Sequence, residues 1–266
     1  MKLLVPIDFS PYSDRALKLA TIIAKKAGGE IVLLNVIRDP RESSMLPTVV
    51  IGSLVEELEE RIKENLARLK ETAETNPLVK DVAVEFGEAH QAILEREKSC
   101  NFILMGTRGI HGLSGALVGS VTLRVLRKAT VPVITVREKV PGDIKRVVAA
   151  TDTSETSGKA LNAAIDLARS LGAEMIPVYI DTIAAYLSEG KIYWQKVVDR
   201  VSAISECKDC KIYPSDSPVR GIVEFSEREK ADLIVVGTQG LSGIREVVGS
   251  TAIGVISSAP VPVMVV

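Results

Sequence analysis

Aromatic residues are scarce in this chain of 266 residues: Phe, Trp and Tyr together make up 4%, and Trp194 is the single tryptophan. A single-stranded nucleic-acid surface needs stacking rings, so this scarcity argues against one. An excess of charge of one sign is also missing: Lys+Arg is 33, Asp+Glu is 34, and the formal net charge is −1. Cut at residue 140, the first part carries 20 basic and 18 acidic residues and the second 13 and 16, so neither is a basic arm or an acidic tail. The electrostatic footprint of a nucleic-acid binder is absent. Cysteine is rare too, and three cysteines spread over a long chain make no disulfide framework. Cys207 and Cys210 form a CxxC pair, a spacing known from metal and redox sites. A structural zinc needs four ligands, and neither His90 nor His111 has a sequence tie to the pair, so the reading is two surface cysteines without metal. No GxxxxGK[ST], GxGxxG, HExxH or GxSxG occurs.

Long apolar runs are nearly absent. The start, MKLLVPIDFS, is broken by Asp8 before a signal core forms, which predicts a cytoplasmic protein. Val247 to Val266 holds no charged residue and is long enough to span a bilayer. However, it contains Gly249, Gly254, Pro260 and Pro262, and the matching stretch near residue 124 carries Arg124, Arg127 and Lys128. One architecture used twice does not cross a membrane in one copy only. The run reads as a helix followed by a buried strand, with no membrane role.

What the chain does have is an internal repeat. The stretch from Lys2 to Ile37 resembles that from Lys145 to Ile180; FILMGTRGIHGLSG pairs with LIVVGTQGLSGIRE, and ATVPVITV with APVPVMVV. Asp8 and Asp152 lie 144 positions apart and Gly106 and Gly237 lie 131 apart, so the second copy is shorter in its middle. This is a tandem duplication, 1–137 and 144–266, joined through REKVPGD. In each copy, short Val/Ile/Leu runs alternate with helical periodicity, for example Ala16, Leu19, Ala20 and Ile23 before Gly28-Gly29, and Leu54, Leu58, Ile62, Leu66 and Leu69. Unbroken apolar strands between helices indicate a parallel sheet covered on both faces, with five strands per copy. The apolar runs Val131–Val136 and Val261–Val266 read as the last strands, each with proline at its second position.

Three constellations recur at strand ends: Asp8 or Asp152 after the first strand, GTRG (106–109) or GTQG (237–240) after the fourth, and Gly119-Ser120 or Gly249-Ser250 opening the last helix. In open α/β sheets, ligands sit beyond the carboxyl ends of strands where strand order reverses. Glycines permit close backbone approach, and a helix N-terminus with free N–H groups cradles phosphate. Taken singly, each could be a tight turn or an N-cap. Repeated twice in one order, they point to an anionic phosphate ligand.

The chain resembles a tandem universal stress protein over nearly its whole length. The family's nucleotide motif, G-x2-G-x9-G-[ST], is matched by Gly106, Gly109, Gly119 and Ser120 without a gap, and VPIDFSPYSDRAL looks like its first strand and helix. The resemblance implies two tandem open, five-stranded, parallel-sheet domains of the Rossmann-like, adenine nucleotide alpha hydrolase-like class. It implies ATP or AMP as ligand, with Mg2+ accompanying ATP. By resemblance, the first site comprises Pro6, Ile7, Asp8, Val36, Met105, Gly106, Arg108, Gly109, Gly119, Ser120, Val121 and Thr122. The second would be built from Asp152, Val178, Gly237, Gly240, Gly249, Ser250 and Thr251, but has eight residues rather than nine between Gly240 and Gly249, and Ala150 in place of the proline before the acid. That deletion suits a shorter nucleotide. Single-copy members dimerise through the last strand, which implies an intramolecular pseudo-dimer here, any further homodimer using other surfaces. The function implied is a nucleotide-binding regulatory module acting on a protein partner; the alternatives are a slow ATPase or adenylyl-transfer enzyme, or a nucleotide-free interaction module. His111 and Arg108 lie where they could meet phosphate or water. The segment 38–53, with two prolines, four charges and three serines, is expected to form a mobile rim of the first site.

Overall fold

Two helices of equal length show how the duplicated sequence folds. Pro11–Ala27 (α1) starts at Ser10, whose hydroxyl accepts from the Ser13 N–H, and stops at Gly28 with φ 66°. Glu155–Leu171 (α5) starts at Ser154 in the same way and stops at Gly172 with φ 57°. Both ends follow from the residues: serine satisfies an otherwise free N–H, and glycine enters the left-handed region without steric cost. Ala16, Leu19, Ala20, Ile23 and Ala24 make a fully buried stripe on α1. The alanines let the helix lie close on the sheet.

The computed structural model describes residues 1–38, 51–109, 118–182, 190–204, 209–238 and 248–266. The first half runs β1 (Lys2–Pro6), α1, β2 (Glu30–Ile37), α2 (Ile51–Thr75), β3 (Val79–Phe86), α3 (Ala89–Glu97), β4 (Phe102–Gly106), α4 (Ser120–Lys128) and β5 (Val133–Val136). The second repeats it as β6 (Arg146–Thr151), α5, β7 (Glu174–Asp181), α6 (Gly190–Ile204), β8 (Lys211–Pro214), α7 (Pro218–Arg228), β9 (Leu233–Val236), α8 (Ser250–Ser258) and β10 (Val263–Val265). No helix among the described residues is long and apolar enough to cross a membrane. The uncharged C-terminal run is instead α8 and β10.

The expectation of two five-stranded sheets needs one correction. The strands form one ten-stranded sheet in the order β3-β2-β1-β4-β5-β10-β9-β6-β7-β8. Within each half every pairing is parallel; β5 and β10 meet antiparallel, with Ile134 opposite Met264 and the Thr135 hydroxyl donating to the Val263 carbonyl at 3.2 Å. The prolines are also placed differently from expectation. Pro132 and Pro262 stand just before β5 and β10, and their carbonyls accept from Ile103 and Ile234, so the missing proline N–H is never needed in the seam.

Two cores flank this sheet. One holds Leu3, Val5, Leu104 and Ile134 with α1, α5 and Leu69 of α2. The other holds Leu4, Ile103 and Met105 with α3, α4, α7 and α8. The connection 137–143 is tied to α1 at both ends: Arg15 donates to the Arg137 carbonyl (3.0 Å), and Lys26 donates to the Asp143 carboxylate and the Ile144 carbonyl (both 2.7 Å). The Lys26 hydrogen bond holds the Asp143 carboxyl below its ordinary range. Arg137 also donates to the Ser257 carbonyl in the last turn of α8. That helix carries no basic residue in its last turn, whereas α4 has Arg127 and Lys128 there, so Arg137 supplies the cation its C-terminus favours.

Candidate functional site

Strand order reverses between β1 and β4, and again between β6 and β9. At the first switch point, β1 ends at Pro6, so Asp8 stands two residues beyond the strand on the turn into α1. The Asp8 carboxylate accepts from the Ser10 N–H at 3.1 Å, and Asp152 does the same with Ser154 at 3.0 Å. Between each pair sits a non-glycine residue with positive φ, Phe9 at 60° and Thr153 at 67°. This conformation costs about 1 kcal/mol or more for such residues. It recurs at the same turn in both halves, and it aims both carboxylates. The strain was not foreseen; its sequence trace is the repeated Asp-x-Ser. The Phe9 ring lies under the Arg68 guanidinium of α2, 3.8 Å from centroid to carbon. Asn35, buried on β2, donates to the Ile7 carbonyl at 2.6 Å and accepts from Asn65 of α2 at 3.0 Å, fixing the backbone just before Asp8.

The GTRG turn meets this carboxylate from the other side of the switch point. A Cβ on Gly109 would stand 2.5 Å from Asp8 Oδ2. On Gly106 it would stand 2.5 Å from Tyr12 Cβ and 2.9 Å from the Tyr12 carbonyl carbon, so this glycine serves the seating of α1 on β4. Gly119 has φ −70°, which any residue adopts; the constraint there is space, because its Cβ would be 3.3 Å from the Thr107 carbonyl. The Gly119 N–H donates to that same carbonyl at 2.7 Å, and the Thr122 hydroxyl donates to the Gly106 carbonyl at 3.0 Å. α1, α5 and α7 are capped by serine hydroxyls, whereas α4 and α8 begin at Gly119 and Gly249 with no side-chain cap. Their first N–H groups therefore lack a side-chain acceptor at the cap and are open to an external one. Ser120 and Ser250 are exposed at these ends, next to Val121 and Thr251, both half-buried. Arg108 is half-buried, and its Nε has no hydrogen-bond partner among the described residues.

The other sequence-predicted residues divide into two groups. Ile7 is buried and Pro6 half-buried at the end of β1, while Val36 and Met105 join the core on the α3/α4 face, beneath the same strand ends. Val178 is fully buried in mid-sheet, opposite Ala150, and is not at a strand end. In the second half, the Gly249 N–H donates to the Thr238 carbonyl at 2.7 Å, the counterpart of the Gly119 turn. Gly237 follows β9 directly. Gly240, His111, Cys207 and most of the 38–53 rim lie outside the described residues. Cys210 is half-buried, its thiol donating to the Lys211 carbonyl at 3.4 Å, and no group of His, Cys, Asp and Glu able to hold a metal occurs among the described residues.

Sequence reading missed a charged group beside the first site. Glu88, the N-cap residue of α3, lies 3.4 Å from Arg124 of α4, 3.8 Å from Arg38 after β2, and 3.8 Å from His90 Nδ1. His90 is buried, and its Nδ1 has no hydrogen-bond partner among the described residues. Burial lowers the His90 pKa from 6.5, Arg124 and Lys128 lower it further, and Glu88 opposes them. The unfolded chain therefore takes up this proton at higher pH than the folded one. Stability should fall as pH drops below the ordinary histidine value, and His90→Gln should flatten that dependence; urea midpoints from pH 7.5 to 5 check it. An equal slope in the variant would rule the histidine out.

The fold is that of a duplicated α/β protein whose α4 and α8 each begin at a glycine with no side-chain cap. The family model for universal stress proteins matches residues 1–137 and 143–266, and the chain belongs to that family. A universal stress protein of Mycolicibacterium smegmatis is 25% identical over 291 residues, covering 99% of this chain and 96% of that protein. Universal stress protein MJ0531 of Methanocaldococcus jannaschii is 34% identical over 138 residues, 46% of this chain and 81% of that protein. Among solved structures, a universal stress protein from Archaeoglobus fulgidus DSM 4304 superposes with a TM-score of 0.75 at 26% identity, covering 99% of this chain and 97% of that one.

Proposed function

We propose that the chain is an adenine-nucleotide-binding regulatory module, with ATP or AMP held at the first-half switch point. The observation that carries this reading is the uncapped N-terminus of α4, Gly119-Ser120, folded back onto the GTRG turn whose Gly109 touches Asp8. The backbone N–H groups and Ser120 suit phosphate, and Asp8 suits the hydroxyls or ring of a nucleoside. The adenine itself rests on the family motif. The groups gathered here are mainly backbone amides, hydroxyls and one carboxylate occupied by the Ser10 N–H, which suits holding a ligand better than moving protons. Mg2+ would accompany ATP through its phosphates. In the second half, Asp152, Gly237, Gly249 and Ser250 repeat the cradle for a shorter nucleotide.

Gly119→Val should abolish binding at the first site, because the added carbons crowd the Thr107 carbonyl and stand over the cradle. Calorimetric titration with ATP, alongside thermal unfolding, checks this: an unchanged first-site affinity in a folded variant refutes the assignment. Mass spectrometry of the small molecule that co-purifies with the chain should find an adenine nucleotide. With γ-labelled ATP, no single-turnover release of phosphate is expected; rapid release would make the chain an enzyme.

A further inference from the structure

The two halves are built alike, but they carry different charges beside their cradles. Arg38 is the first residue after β2; at the same place after β7 stands Thr182. Arg124 is the fifth residue of α4; the fifth residue of α8 is Gly254. His90 is the second residue of α3; the second of α7 is Val219. The N-caps of these last two helices are Glu88 and Ser217. Arg108 corresponds in sequence to Gln239. The crossing of α3 on α4 thus holds two arginines, a histidine and a glutamate. The crossing of α7 on α8 is closed by Gly254 against Val219, with a Cβ on the glycine only 2.6 Å from Val219 Cγ2.

The charged crossing adjoins the cradle. Ser120 and Arg124 stand four residues apart on one face of α4, and side chains on a helix lean toward its N-terminus, so Arg124 leans toward Gly119-Ser120. Arg38 leaves β2 two residues after Val36. Both arginines gather on the single carboxylate of Glu88, at 3.4 and 3.8 Å, with Arg38 84% and Arg124 53% exposed. Two cations on one half-buried anion leave positive charge over. His90, buried to nine-tenths, points an unpartnered Nδ1 into the same group, 3.8 Å from the carboxylate. A buried polar atom without a partner marks a place where a hydrogen-bonding group of a ligand fits.

We infer that Arg38 and Arg124, held around Glu88 beside His90, form a terminal-phosphate subsite of the first half, so that this half selects a nucleotide with two or three phosphates while the second half selects an adenine ligand of lower charge. The inference rests on the nucleotide reading above and adds to it the number of phosphates each half takes. Glu88 competes with the phosphate for the arginines. In the second half the corresponding positions, Thr182, Gly254 and Val219, carry no cation to reward a polyanion, and Gly254 packs closely on Val219.

The test is titration of the full chain with ATP, ADP, AMP and adenosine at low and high salt. Arg38→Gln with Arg124→Gln should weaken first-site ATP about tenfold or more, the loss of charge-assisted hydrogen bonds, and leave adenosine unchanged. Glu88→Gln should tighten ATP and leave adenosine unchanged. Gly119→Val, in which the second half alone remains, should bind adenosine or AMP at least as well as ATP. An unchanged ATP-to-adenosine ratio in the arginine double variant, or a preference of the second half for ATP, overturns the inference while nucleotide binding stands. Absence of binding by any of the four compounds to the unaltered chain overturns the nucleotide reading itself, and the inference with it.

Discussion

Ile134→Asp should leave the chain without a cooperative fold, and Ile134→Ala should lower its stability by about 2–5 kcal/mol. Ile134 has no exposed surface, lies opposite Met264 across the seam, and belongs to the core that also contains α1 and α5. The alanine leaves a cavity lined by strands from both halves, which cannot collapse without moving the seam. The aspartate buries an unpaired charge at the same point, a cost that a native protein's margin of about 5–15 kcal/mol does not easily absorb. Urea denaturation followed by circular dichroism reads the first, and soluble yield and the folded spectrum read the second. A loss under about 1 kcal/mol for the alanine would show that the seam contributes little to the global fold.

A fragment ending at residue 137 should self-associate. Removal of the second half strips β5 of its β10 partner and opens an edge with Val133, Ile134 and Val136, each at most 2% exposed in the whole chain. An apolar edge with free N–H and C=O groups pairs with whatever strand it meets, and the nearest equivalent is another β5. In the intact chain, the short tie through 137–143 keeps the correct partner at high effective concentration. Sedimentation velocity should show a dimer of the fragment. A monomer at high concentration would mean that the seam holds only because the chain is continuous.

Much of the architecture was legible because it was written twice. Asp8 with Asp152, and Gly106 with Gly237, gave the repeat its register, and Gly28 ends the helix it was expected to end, with Gly172 as its counterpart in the second half. What escaped was anything that depends on partners far apart in sequence. Apolar runs that include a proline show that a strand is near, not where its hydrogen bonds begin, so β5 and β10 start after Pro132 and Pro262. That the halves pair through their last strands is an expectation of the family resemblance alone; no spacing in the chain shows Ile134 meeting Met264 across 130 positions. The glycines of the cradle were legible as glycines, but their tasks differ: Gly106 makes room for Tyr12, Gly109 for Asp8, and Gly119 for the Thr107 carbonyl. The group around Glu88 was invisible, because Arg38, His90 and Arg124 share no spacing that a pattern could catch. Val178, chosen by resemblance for the second site, is a fully buried core residue three positions before the end of β7.

The antiparallel seam of β5 and β10 has a consequence for how this protein can diverge. In an assembly of two identical chains, every substitution is made on both sides, and no site can change without its twin. Here the two sides are encoded separately, so Arg124 can face Glu88 in one half while Gly254 faces Val219 in the other. The chain is in effect a heterodimer whose one-to-one composition is fixed by a peptide bond and needs no matched expression of two genes. Because the parallel strands of the two halves run in opposite directions, their carboxyl ends open on opposite rims of the sheet. One rim is therefore free to change its chemistry by mutation while the other keeps its own, each beyond direct contact with whatever the other holds.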